Sequence, residues 1–168
     1  LLTLVPERQD ALVNMGNIHF DNGSLEKAIV CLKKASMVNS GNNQLTDQAI
    51  INLANTYRRQ GEDVRAIETY ERVLSIQCYA GLRIKQAITL PVVYRDHLHI
   101  KDARQRLEKE LAKILDTNLV VLDPALEIAA TNFFLTYQGL SNKTLQEKTA
   151  QVILKSCPAL GFIAPHCD

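Results

Sequence analysis

"ALVNMGNIHFDNGSLEKAIVCLKKA" runs from Ala11 to Ala35 and "AIINLANTYRRQGEDVRAIETYERV" from Ala49 to Val73, and the two stretches align without a gap. Asn14 falls on Asn52, Met15 on Leu53, Gly16 on Ala54 and Asn17 on Asn55. Further along, Gly23 meets Gly61, Ala28 meets Ala66 and Leu32 meets Tyr70. Self-similarity of this kind marks stacked units, each too small to bury its apolar face alone. Each copy reads as two helices, A and B, joined by a tight turn. Small residues at 16 or 54 and at 28 or 66 let helices A and B approach. Glycine at 23 or 61 ends helix A in a left-handed conformation that a Cβ makes costly.

These are the positions that define a tetratricopeptide repeat, and the resemblance predicts an all-α chain. The expected architecture is an α-solenoid, an α-α superhelix, followed by a non-repeat helical linker. The full repeats fall at about 9–42 and 47–77, and the linker at 78–168. "LLTLVPER", residues 1–8, matches the tail of a preceding unit, with Pro6 where such repeats often carry a proline. The chain is therefore expected to start inside a longer array. The step from Asn14 to Asn52 is 38 residues, against about 34 for the family. The excess lies near "NSGNNQLT", as a loop or as a stretched helix end.

Composition agrees with helices. Of 168 residues, 46% are hydrophobic, enough for a sizeable core, while aromatic residues make up only 5% and tryptophan is absent. Lys and Arg total 19 against 18 Asp and Glu, so no net field favours nucleic acid or an anionic membrane, and a partner must be recognised locally. No apolar run approaches the roughly 20 residues needed to cross a bilayer. Cys31, Cys78, Cys157 and Cys167 form no CxxC pair. They read as reduced thiols, and the expected location is cytoplasmic.

Beyond Gln77 the repeat pattern stops. "YAGLRIKQAITLPVV" predicts a helix up to Leu90 that Pro91 ends. Ile100, Ala103, Leu107, Leu111 and Ile114 recur at steps of three and four, predicting an amphipathic helix with Asp96 as its N-cap. "TNLVVLDPALEIAATNF" reads as a packed connector. A last helix is predicted from about Asn142 to Ser156, with Leu145, Ala150, Val152 and Ile153 near one side.

Reactive chemistry finds little support. His97 and His99 lie two apart, so on a helix they point to different sides, and no third metal ligand is evident. His166 beside Cys167 lacks the geometry that activates a nucleophile. The Asn142-Lys143-Thr144 triplet reads as a helix cap rather than a glycosylation site. No catalytic residue, metal site or cofactor is expected within this chain.

Binding chemistry is better supported. Asn14 and Asn17 share a helix face, as do Asn52 and Asn55, and in a tetratricopeptide stack that face lines the groove. Each amide offers donors and an acceptor, so a row of them can hold an extended peptide by its backbone. The competing reading is that one Asn of each pair only bonds adjacent repeats together. Arg58 and Arg59 follow Asn55, either as contacts to an acidic partner or as a solvated face.

"GLRIKQAITLPVVYRD", "TNFFLTYQG", "LQEKTAQVILKSCPAL" and "APHC", in that order, resemble the segment that joins the repeats to the catalytic region in bacterial SPINDLY-like O-linked N-acetylglucosamine transferases. The resemblance implies a solenoid that recruits protein substrates and, beyond this chain, Rossmann-like lobes that use a UDP-sugar. It also implies that Asn14, Asn17, Asn52 and Asn55 act as a substrate-holding ladder, and that the chain's own catalytic region is one of its partners. Many relatives carry Tyr-His-Gly where this chain has Tyr137, Gln138 and Gly139. That places Gln138 facing the active site, where its amide can position or hydrogen-bond but cannot act as a general base. The alternative is a free-standing scaffold that assembles proteins through the same groove.

Overall fold

The computed structural model describes residues 8–38 and 41–162. Most of the partial repeat assigned to residues 1–8, together with His166 and Cys167, lies outside the described residues. Contacts divide the chain into two compact units, Leu1–Gln77 and Cys78–Asp168. The described secondary structure is helical throughout, without a strand among the described residues.

The first unit holds α1 (Gln9–Asp21), α2 (Leu25–Met37), α3 (Asn43–Gln60) and α4 (Asp63–Leu74). α1 packs on α2, α2 on α3 and α3 on α4, and α1 also touches α3. Both A helices end in the same way. Gly23 and Gly61 have φ of 72° and 83°, and the N–H groups of Ser24 and Glu62 reach back to the carbonyls of His19 and Tyr57 at 2.8 and 2.9 Å. Gly16 lies directly against Leu32. Leu32 and Tyr70, at matching places on the two B helices, are fully buried, and each such side chain contributes about 1.5–3 kcal/mol by leaving water.

The long step between repeats resolves into helix. In the repeat alignment Gln9 opens α1 and matches Asp47, yet α3 begins at Asn43, so residues 43–46 form an added turn. Asn42 caps that turn, its side chain accepting from Leu45 N–H at 3.1 Å. The turn also supplies Thr46, whose hydroxyl accepts from Gln9 Nε2 at 2.9 Å while the same nitrogen donates to Ala35 O at 3.0 Å.

The second unit holds α5 (Ala80–Ile88), α6 (His97–Leu115), α7 (Pro124–Glu127) and α8 (Lys143–Ser156), with 3-10 turns at Phe133–Gln138 and Pro158–Gly161. α5 and α8 both pack on α6. Ile84, Ala87 and Ile88 of α5 share one apolar core with Ala103, Leu107, Leu111 and Ile114 of α6 and with Leu145 and Val152 of α8. Asp96 caps α6 as the sequence anticipates, accepting from His99 N–H at 2.7 Å.

Two details of α8 depart from expectation. Ala150 is exposed and Thr149 is buried, so the inward face is Leu145, Thr149, Val152 and Ser156. These recur at four, three and four, a cleaner helical face than the residues chosen on hydrophobicity alone. Asn142 does not cap α8 with its side chain. Its Nδ2 donates to Leu135 O at 3.1 Å and its Oδ1 accepts from Arg104, so tertiary partners compete with the local cap for the amide.

Candidate functional site

All four groove asparagines lie on α1 and α3, the neighbouring A helices, and one pair of them meets. Asn52 Nδ2 donates to Asn17 Oδ1 at 2.8 Å. This bond crosses from the second repeat to the first, and both residues are partly buried. The stitch between repeats is therefore real, but it uses one donor and one acceptor only. Asn17 keeps both N–H donors and Asn52 keeps its carbonyl oxygen, which together complement the C=O and N–H of one peptide group. Asn14, one helical turn before Asn17, is exposed.

Asn55 is held differently. Its Oδ1 accepts from the Tyr70 hydroxyl at 2.6 Å, so only its Nδ2 remains to be offered. Burial pushes the Tyr70 phenol up to about 12, the cost of a phenolate out of water, and the nearby Arg58 guanidinium opposes that rise. The phenol therefore stays a donor, and Asn55 stays oriented, across the physiological range.

The two arginines have separate fates. Arg59 donates to Phe20 O at 2.8 Å, and its guanidinium lies over the Phe20 ring, 4.7 Å from the centroid. It braces the end of α1 rather than standing free in a groove. Arg58 is half-buried, and its Nε is buried without a hydrogen-bond partner.

Gln138 is 6% exposed and belongs to the second unit's interior. Its Oε1 accepts from Arg104 at 2.8 Å and its Nε2 donates to Tyr94 Oη at 2.6 Å. The amide thus closes a network within the unit, holding the Phe133–Gln138 turn against α6. Arg104 is the residue that sequence reasoning missed. Its partners stand 34 and 38 positions away, beyond any local spacing signal.

His99 Nδ1 accepts from Arg95 N–H at 3.3 Å and its ring meets Tyr94 edge-on, a local packing arrangement. No cluster of metal-ligating side chains occurs among the described residues. No described helix is long and apolar enough to cross a membrane.

Paired helices with left-handed glycine turns, stacked so that the A helices touch side by side, define a helical-repeat module of the protein-binding class. Residues 7–78 match the tetratricopeptide repeat family, so the first unit is a tetratricopeptide-repeat region and protein–protein interaction is its general role. No curated protein and no solved structure matches the chain.

Proposed function

We propose that the A-helix face of the repeats holds an extended segment of a partner protein, with Asn14, Asn17 and Asn52 gripping its backbone. The observation that carries this reading is the Asn17–Asn52 stitch. Two amides already fixed by each other have little side-chain entropy left to lose on binding, and what they still offer is the complement of a peptide group. Asn55 contributes one donor, and Arg58 the cation on the same helix for an acidic side chain.

The resemblance of the second unit to the SPINDLY-like joining segment supports a reading in which the partner is a protein substrate and this chain is the presenting arm of a UDP-sugar-dependent transferase. Exposed Val120, Leu122, Leu160 and Phe162 support that reading as a docking surface for further protein. Val120 and Leu122 flank Val121, whose N–H donates to Ser156 O at 2.9 Å at the end of α8, and Leu160 and Phe162 follow that end in the chain. The scaffold reading draws on a different feature, the largely polar outer face of α8, with Gln146, Glu147, Gln151 and Lys155 exposed.

A peptide selected from a random library on the wild-type chain tests the groove by fluorescence anisotropy. Asn14→Ala combined with Asn52→Ala is expected to weaken binding about 10-fold or more, as loss of two or three hydrogen bonds at about 0.5–1.5 kcal/mol each implies. Unchanged affinity in a variant with an intact helical spectrum removes the asparagines from the account. Reading the encoding frame downstream separates arm from scaffold: a glycine-bearing α/β region supports the transferase.

A further inference from the structure

A groove of about 660 Å³ lies between one face of α6 and the start of α8, and its walls carry cationic and hydroxyl groups. His97, Lys101, Arg104 and Glu108 follow one another at steps of four, three and four, so all project from the same side of α6. Ser141 and Thr144 form the facing rim, and Ile100, Leu140 and Leu145 supply an apolar floor.

The charge balance within this groove is uneven. Glu108 is the one carboxylate among the lining residues, and it is committed to Lys148, 2.5 Å away. That ammonium, by hydrogen bond and by charge, holds the Glu108 carboxyl below its ordinary value. Arg104 makes its hydrogen bonds to neutral groups instead. Nη1 donates to Gln138 Oε1 and Asn142 Oδ1, both at 2.8 Å, and Nη2 donates to Ser141 O. All three acceptors are neutral, so they fix the guanidinium in place, and the one negative charge near it, Glu108 one turn away, is shared with Lys148. Its Nε–H and one Nη2–H remain for a ligand. Lys101, one turn away, is exposed and adds a second cation.

We propose that this groove is a binding site for a phosphate monoester. Two cations match the charge of about −1.5 to −2 that such a group carries near neutral pH. A fixed guanidinium presents fork-like donors to its oxygens, and the Ser141 and Thr144 hydroxyls can reach the remaining ones. A planar carboxylate would satisfy fewer of these donors. The apolar floor accommodates the body that carries the phosphate. The site lies wholly within the second unit and stands apart from the peptide-binding reading of the repeats.

Titration of the whole chain with O-phosphoserine and, separately, with inorganic phosphate, followed by amide NMR shifts at low ionic strength, tests the proposal. The expected result is saturable shifts centred on Lys101, Arg104, Ser141 and Thr144. Lys101→Gln should weaken binding at least 5-fold, whereas Lys27→Gln, an exposed change in the first unit, should leave it unaltered. Lys101 makes no contact that holds the fold, so its variant reads binding alone; Arg104 is unsuitable because it fixes Gln138 and Asn142. Tighter binding of O-phosphoserine supports a carried phosphate, and equal binding of both probes overturns the monoester in favour of the free ion. The proposal is overturned by shifts that fail to saturate through about 10 mM ligand, ten times a 1 mM Kd, or by equal weakening in the Lys27 and Lys101 variants.

Discussion

Gly16→Ala places a methyl group where the structure has no room for it, and the outcome depends on one neighbour. A Cβ at position 16 would lie 2.6 Å from Leu32 Cγ and 2.7 Å from its Cδ2. Leu32 is 0% exposed and cannot swing aside. Forcing an extra methyl into such packing costs about 1–3 kcal/mol, while alanine in a helix interior gains about 1 kcal/mol over glycine. The single variant should therefore lose up to about 2 kcal/mol. Leu32→Ala alone should cost about 2–5 kcal/mol, but it also removes the clashing atoms. In that background Gly16→Ala keeps its helix gain without the clash and becomes stabilising by about 1 kcal/mol. Urea unfolding by far-ultraviolet circular dichroism, with hydrogen exchange of the α1 and α2 amides to localise the change, reads the coupling. An effect of the same sign and size in both backgrounds would refute the close approach of α1 and α2 at this point.

Alkaline unfolding should report on Tyr70. Above pH 10 the unfolded chain gains by ionising this phenol, while the folded chain holds it protonated up to about 12. Stability should thus fall by about 2–3 kcal/mol between those limits, and the fall should be smaller in Tyr70→Phe; identical pH profiles for the two proteins would contradict the burial of the hydroxyl beside Asn55. Thiol labelling should be ordered. Cys78 is exposed, whereas Cys157 is buried and its thiol is pushed up by burial and then by the Glu127 charge. Iodoacetamide followed by mass spectrometry should therefore modify Cys78 well before Cys157, and equal native rates would contradict the packing of Cys157 into the second core.

Much of the first unit was legible because its determinants are local. Gly23 and Gly61 announce left-handed turns, and Gly16, Ala28, Ala54 and Ala66 announce close helix crossings, at spacings that the chain itself repeats. The second unit was legible only as helices. Its stripe on α6 could be counted, but Thr149 in the core and Ala150 in water reverse a choice made on hydrophobicity. The Thr149 hydroxyl bonds Leu145 O at 2.8 Å and Asn132 Nδ2 at 3.1 Å, and that satisfaction is what makes its burial tolerable.

The amino-acid sequence by itself determined where the longer helices run, though not the short α7 inside the stretch read as a connector, where the repeat turns fall and which face of each A helix carries amides, since periodicity and glycine conformation act over a few residues. Tertiary structure alone decided what those amides do. Asn17 reaches Asn52 across 35 positions, Asn55 is claimed by Tyr70, Arg59 by Phe20, and Gln138 by Arg104 and Tyr94. A polar side chain is satisfied by whichever partner the packed helices bring within about 3 Å, and that neighbour is chosen by the burial of apolar residues elsewhere in the unit.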